Sequence, residues 1–218
     1  MKNRLKVSIK TLTLGLSLFT CFQSPAVHAQ LEEITVTARR VAESLQEAPV
    51  SVSAFSGDSL EAEGALDLMD IGDMAPNVNF ATGSATSGLS SAPSVFIRGI
   101  GQDDFIIVTD PAVGMYVDGI YLGRSIGSLV DLLDMERVEV LRGPQGTLYG
   151  RNSIGGAVNF VSKKPDPEAF SGKVGVTLGE DDHYEYNGSV NVPFSDKAAG
   201  RCSAMYRHRD GFVDALQY

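Results

Sequence analysis

The stretch VEVLRGPQGTLYGRNSIGGAVNFVSKKP at 138–165 sets Gly143, Gly146, Gly150, Gly155 and Gly156 between two apolar runs. Glycine at that density is one way to cradle phosphate, because bare backbone lets several N–H groups face one anion. A P-loop also needs Gly-Lys-Ser or Gly-Lys-Thr. Neither occurs, since Gly172-Lys173 is followed by Val174. Gly99-x-Gly101 begins a dinucleotide fingerprint but has no third glycine. No nucleophile–base pair can be placed, so an exported hydrolase has no support and no catalytic residue is expected. His183, His208 and Cys202 are too few for a usual zinc site, and the two histidines read as exposed loop residues, so no metal or cofactor is expected. What the glycines do permit is positive φ and close backbone approach. That predicts a loop passing tightly against another wall.

The rest of the chain must position such a loop. Lys2, Arg4, Lys6 and Lys10 precede an apolar run from Leu12 to Phe22, and small residues follow at Val27-His28-Ala29. This is the pattern of a secretory signal peptide over 1–29. The full chain of 218 residues carries 18 basic and 27 acidic side chains, a net charge of −9. Removal of the leader's four bases leaves 14 against 27, or −13. Nucleic acid is therefore excluded as a partner. Cys202 would be the sole remaining cysteine, so no internal disulfide is expected.

Ile34-Thr35-Val36-Thr37 alternates β-branched residues between charged flanks, and nothing after it reads as a hairpin partner. It is either a frayed terminus or a peptide that adds as a strand to a partner's sheet edge. Val50–Phe55 predicts a half-buried strand, with helices over 60–68 and 70–74, the second stopped by Pro76. Phe80 to Pro93 and Gly101 to Asp110 read as loops. Val95–Ile97 is a short buried strand. Asp118-Gly119 between Val113–Val117 and Ile120–Leu122 is a strong hairpin signal. A helix is predicted over 125–133, and strands over 138–141 and 158–161. After Pro167 apolar and polar residues alternate at 174–178, 184–192 and 201–207, the pattern of a sandwich edge or a transmembrane β-barrel.

Taken together, Glu33-Ile34-Thr35-Val36-Thr37-Ala38, FIRG (96–99), MYVDG (115–119) and ERVEVLRGPQGTLYGRNSIGGAVNFVSKKP (136–165) resemble the TonB-dependent outer-membrane receptors. The resemblance implies an α+β plug domain with a small mixed sheet, followed by the first antiparallel strands of a transmembrane β-barrel that has 22 strands in the family. The implied division is signal peptide 1–29, TonB box and linker 30–47, plug 48–165 and incomplete barrel 166–218. It further implies that Glu33, Ile34, Thr35, Val36, Thr37 and Ala38 bind the inner-membrane protein TonB. Arg98 and Arg142 would meet glutamates on the barrel wall. The implied setting is the cell outer membrane and its lipid, and the implied cargo a scarce nutrient, a ferric siderophore by family habit. A full barrel needs on the order of 220 membrane residues, whereas about fifty follow Pro165. The chain is therefore expected to be a fragment cut within the barrel after Tyr218, which would insert poorly alone. The rival expectation is a periplasmic binding or signalling module using the plug fold without a pore.

Overall fold

The computed structural model of the protein describes residues 33–65, 67–82, 93–103, 109–124 and 131–211. The leader expected at 1–29 lies outside them, as do 83–92 and 104–108 of the two expected loops and 125–130 of the expected third helix.

At the centre is a five-stranded mixed sheet. In chain order its strands are β3 (Val52–Ser56), β7 (Val113–Val117), β8 (Ile120–Leu122), β9 (Met135–Arg142) and β10 (Gly156–Ser162). Their spatial order is β3-β9-β10-β7-β8. Only β10 and β7 run parallel; the other neighbours are antiparallel. Because side chains alternate across a strand, Val138 and Val140 of β9 share one face with Val158, Phe160, Val113 and Met115. Leu141, Ala157 and Tyr116 occupy the other.

The first face is covered by α1 (Gly57–Glu63), α2 (Leu68–Met74), and a small antiparallel sheet of β4 (Val78–Thr82), β5 (Pro93–Ile97) and β6 (Ile100–Gln102). Phe160 is fully buried there, and such a side chain contributes about 1.5–3 kcal/mol. The helix expected over 60–68 is shorter and earlier. Ser56 Oγ accepts from Ser59 N–H at 3.2 Å and starts α1. Asp67 then caps α2, accepting from Met69 N–H at 2.8 Å while Asp70 accepts from Asp67 N–H at 3.1 Å. This capping box hands Leu68 to the second helix.

The hairpin at Asp118-Gly119 forms with the expected bounds, with φ of 49° and 81° at the two turn residues, as a type I′ turn requires. Two loop expectations need correction. The segment from Phe80 begins inside β4, with Phe80 itself buried, and the segment from Gly101 begins inside β6. Residues 131–133, the described end of the expected third helix, are not helical. Asp131 bridges Asp67, and Asp134 takes a φ of 55° as the chain turns into β9.

The glycine-rich stretch serves the plug's own packing. Gly156 has a φ of 154°, and a Cβ there would lie 2.2 Å from the Leu141 carbonyl oxygen. The tight approach is thus to the neighbouring strand β9, within the sheet. Gly156→Ala is expected to cost about 2 kcal/mol or more, through overpacking against backbone that cannot yield. The check is the denaturation midpoint of the plug, and an unchanged midpoint would count against this account.

Past the plug, Asn191 is fully buried and staples the crossing segment. Its Nδ2 donates to the carbonyls of Asp166 (2.8 Å) and Ala169 (2.7 Å), and its Oδ1 accepts from Asp166 N–H at 2.9 Å. Strands β11 (Ser171–Leu178), β12 (Tyr184–Ser195) and β13 (Ala198–His208) then form an antiparallel sheet in that order. Val174, Val176, Leu178, Tyr186, Val190 and Tyr206 are exposed on one face. Lys173, Glu185, Arg201, Ser203 and Arg207 alternate with them on the other. Tyr184, Tyr186, Tyr206 and His208 cluster at one end, with Tyr184 and His208 stacked at 4.8 Å. His208 is therefore a strand residue rather than the loop histidine expected. Phe170 and Phe194 lie exposed at the other end. Ten residues separate Tyr184 from Phe194. That is about 34 Å along a strand and about 26 Å at a tilt of roughly 40°, against an apolar band of ~25 Å in membrane barrels.

Candidate functional site

Two groups of residues stand out on the plug. The first is the N-terminal segment. Thr35–Val36 forms β1, and it pairs antiparallel with β2 (Glu43–Ser44), Thr35 opposite Ser44 and Val36 opposite Glu43. The segment therefore has a hairpin partner, contrary to expectation. A two-residue ladder in a polar linker carries no periodic signal by which it could be read. The turn closes through Arg40 N–H to the Thr37 carbonyl at 2.8 Å, with Arg40 at a φ of 62°. Arg39 and Glu43 pair across it in the open, which contributes little by itself.

Glu33 is exposed, as is Thr35, and Ile34 is half-buried. Val36 and Ala38 are fully buried against Tyr116, Leu141, Tyr149 and Ala157. Between them Thr37 reaches a carboxylate in the middle of β9. Its N–H donates to Glu139 Oε1 at 2.7 Å, and its hydroxyl lies 3.0 Å from the same oxygen. Glu139 is fully buried. Arg137 Nε donates to its Oε1 at 2.7 Å and Asn159 Nδ2 to its Oε2 at 3.3 Å. A buried carboxylate survives only when paired and hydrogen-bonded in this way. Tyr149 OH donates to the Thr37 carbonyl at 3.4 Å, and Tyr116 OH to the Tyr149 carbonyl at 2.6 Å. Burial, and then the Glu139 charge, pushes the Tyr149 phenol up to about 12, so it stays a neutral donor at physiological pH. The Arg40 guanidinium lies over the Tyr149 ring at 4.8 Å and over Tyr116 at 5.6 Å, which clamps the hairpin from outside. The residues from Ile34 to Ala38 are thus stowed on the second face of the central sheet.

Glu139, Arg137 and Asn159 were not legible as members of this site. Glu and Arg inside a strand read as its solvated face, and their common partner lies about a hundred residues away in the chain.

The second group is Arg98 and Arg142. Arg98 follows β5 with a φ of 54°, and Arg142 ends β9. Both reach Ser51: Arg98 donates to its Oγ at 3.1 Å, and Arg142 Nε lies 3.3 Å from the same atom. Arg142 also donates to the Pro76 carbonyl at 3.0 Å. Neither forms an ion pair among the described residues. Two guanidinium groups therefore converge on one neutral hydroxyl at one edge of the plug.

A Gly-x-Ser-x-Gly pattern of the nucleophile-elbow kind does occur, at Gly123-Arg124-Ser125-Ile126-Gly127. Ser125 lies outside the described residues, and the pattern follows β8, a short edge strand.

The chain matches the family model described as TonB-dependent Receptor Plug Domain over residues 44–157. It is 31% identical over 191 residues to the iron-regulated outer membrane virulence protein of Vibrio cholerae, an alignment that covers 82% of this chain and 28% of that protein. The vitamin B12 transporter BtuB of Vibrio vulnificus is 26% identical, with 83% of this chain and 28% of that one covered. Among solved structures, the ferric yersiniabactin uptake receptor FyuA from Yersinia pestis superposes with a TM-score of 0.62 at 28% identity, over 72% of this chain and 24% of that one. The ferripyoverdine receptor of Pseudomonas aeruginosa gives a TM-score of 0.67 at 25% identity, over 83% and 23%. The chain thus spans between a fifth and a third of the length of the relatives it matches.

Proposed function

Because the chain belongs to the TonB-dependent receptor plug-domain family, we propose that it supplies the energy-coupling segment, the plug and the first wall strands of a receptor for uptake of a scarce nutrient. Its location is the outer membrane, where its named relatives sit. In this reading Glu33 to Ala38 is the segment that TonB engages by strand addition, Arg98 and Arg142 seek glutamates elsewhere on the barrel wall, and a ferric siderophore is the cargo. The one observation that carries the reading is the sheet β11–β13. Its exposed face is apolar, with Val174 84% and Leu178 75% exposed, and its polar face bonds to the plug. A periplasmic module would have no use for such an apolar face, since water would meet it everywhere. Lipid on one side and a plug on the other fit it.

The arginine pair supports the same reading. Two cations facing a shared hydroxyl leave room for carboxylates from outside the described residues. The cargo reading is supported by the relatives' names, which include iron-regulated and ferric-siderophore receptors. A vitamin B12 transporter among them supplies the competing cargo. Uptake of a radiolabelled ferric siderophore and of labelled cobalamin separates the two. Cells lacking the gene are expected to lose ferric-siderophore uptake at least tenfold under iron limitation and to keep cobalamin uptake. The reverse result would redirect the cargo, and no change in either would overturn the transport reading.

A further inference from the structure

We infer that Asp134 and Arg201 form a second plug–wall anchor, opposite in polarity to Arg98 and Arg142 and at the other end of the same strand. The inference rests on the reading of β11–β13 as wall. Arg201 of β13 donates to Asp134 through two nitrogens, Nε to Oδ2 at 2.6 Å and Nη2 to Oδ1 at 2.5 Å. The Ser203 hydroxyl of the same strand also donates to Asp134 Oδ2. The pair is sheltered, with the two side chains 17% and 11% exposed. A bidentate, charge-assisted pair fixes orientation as well as distance. Burial alone would push the Asp134 carboxyl up, yet hydrogen bonds from Arg201 and Ser203 hold it below the ordinary carboxylate range.

Two further contacts repeat the polarity. Arg207 of β13 reaches Asp131 at 3.2 Å while also holding Glu185 of its own sheet at 2.7 Å, and Lys173 of β11 pairs with Glu61 of α1. In all three the plug gives the acid and the wall the base. In the outer two the plug carboxylates are about half exposed and screened, which leaves the more sheltered Asp134 pair as the anchor. Around them the surfaces stand apart over a cleft lined by Gly64, Leu133, Gly175 and Met205. Apolar packing therefore does little to hold the two together here.

Placement gives the anchor its role. Asp134 immediately precedes β9 and Arg142 ends it, about 27 Å apart at strand rise. Glu139, which holds the N-terminal segment, lies between them. A pull on that segment acts on a strand tethered at its acidic end to β13. Asp134 and Arg201 are positioning residues: they keep the plug seated against this side of the wall.

The test is a double-mutant cycle in the receptor in the outer membrane, with Asp134→Asn, Arg201→Gln and the double variant. Asparagine keeps the left-handed backbone that position 134 requires. The readout is entry of a bulky hydrophilic antibiotic at matched receptor abundance, which needs neither TonB nor cargo. A failed uptake assay and a failed anchor are thus distinguishable. Each single change is expected to raise sensitivity several-fold, and the double change no further than the worse single. Ser203→Ala, which leaves both charges in place, is expected to shift it less, in the same direction. Sensitivity unchanged in both singles, or effects that add independently, would overturn the anchor.

Discussion

Replacing Val36 by proline is expected to reduce energy-dependent uptake to the level of cells lacking TonB, while cargo still binds at the cell surface within about twofold. Proline removes a backbone N–H and locks φ near −65°, and strand addition depends on backbone donors. Val36 is fully buried and one of only two residues in β1, so the same change also loosens the stowed hairpin. Val36→Ala separates the two effects. It keeps the N–H and loses about 1–2 kcal/mol of burial, so the segment docks less firmly but can still pair. Uptake is therefore expected to survive Val36→Ala and not Val36→Pro. Uptake unchanged in the proline variant would overturn the assignment of this segment to TonB.

That segment marks the boundary of what sequence could convey. Its strand character was legible from the β-branched run Ile34 to Thr37. Its docking was not, because the partners lie at Glu139, Asn159 and Tyr149, and each reads locally as something else. Features set by neighbours in sequence came through well. The turn at Asp118-Gly119 needs two left-handed residues in a row, and few pairs tolerate that. The wall strands show the period-two alternation that lipid on one side imposes. Features set by distant partners did not come through. Asp134 sits just past the helix expected to end at Leu133, and its conformation is dictated by the turn into β9 and by Arg201. Phe80 read as loop because small polar residues follow it, whereas the core beneath β4 claims its ring. The α1–α2 break is set by two caps, Gly64 in the left-handed conformation ending α1 and Asp67 starting α2, inside a run whose apolar spacing over 60–68 suited a single helix.

The buried carboxylate gives the sharpest energetic consequence. Glu139→Ala takes the acceptor from Thr37 N–H, from Asn159 and from Arg137 at once. Breaking a buried pair by removing one partner costs roughly 3–5 kcal/mol, because the remaining charge stays desolvated. Here the lower end, about 3 kcal/mol, is expected, since Arg137 keeps Glu136, which is 43% exposed, as a second partner. The loss falls on the interface between the N-terminal hairpin and the sheet, so the hairpin leaves before the plug unfolds. Trypsin is the direct probe, because Arg39 and Arg40 lie in the turn that docking protects and that Arg40 caps by stacking on Tyr149. In the receptor without cargo, Glu139→Ala is expected to speed cleavage there at least tenfold, as ~3 kcal/mol of lost docking would allow. The segment's own sequence is intact in this variant, so uptake persists where Val36→Pro abolishes it. Glu139→Gln, which keeps an acceptor for Thr37 but removes the charge, falls between. Cleavage at the wild-type rate in Glu139→Ala would mean that the apolar contacts of Val36 and Ala38 hold the hairpin by themselves, and that the carboxylate serves only to neutralise Arg137.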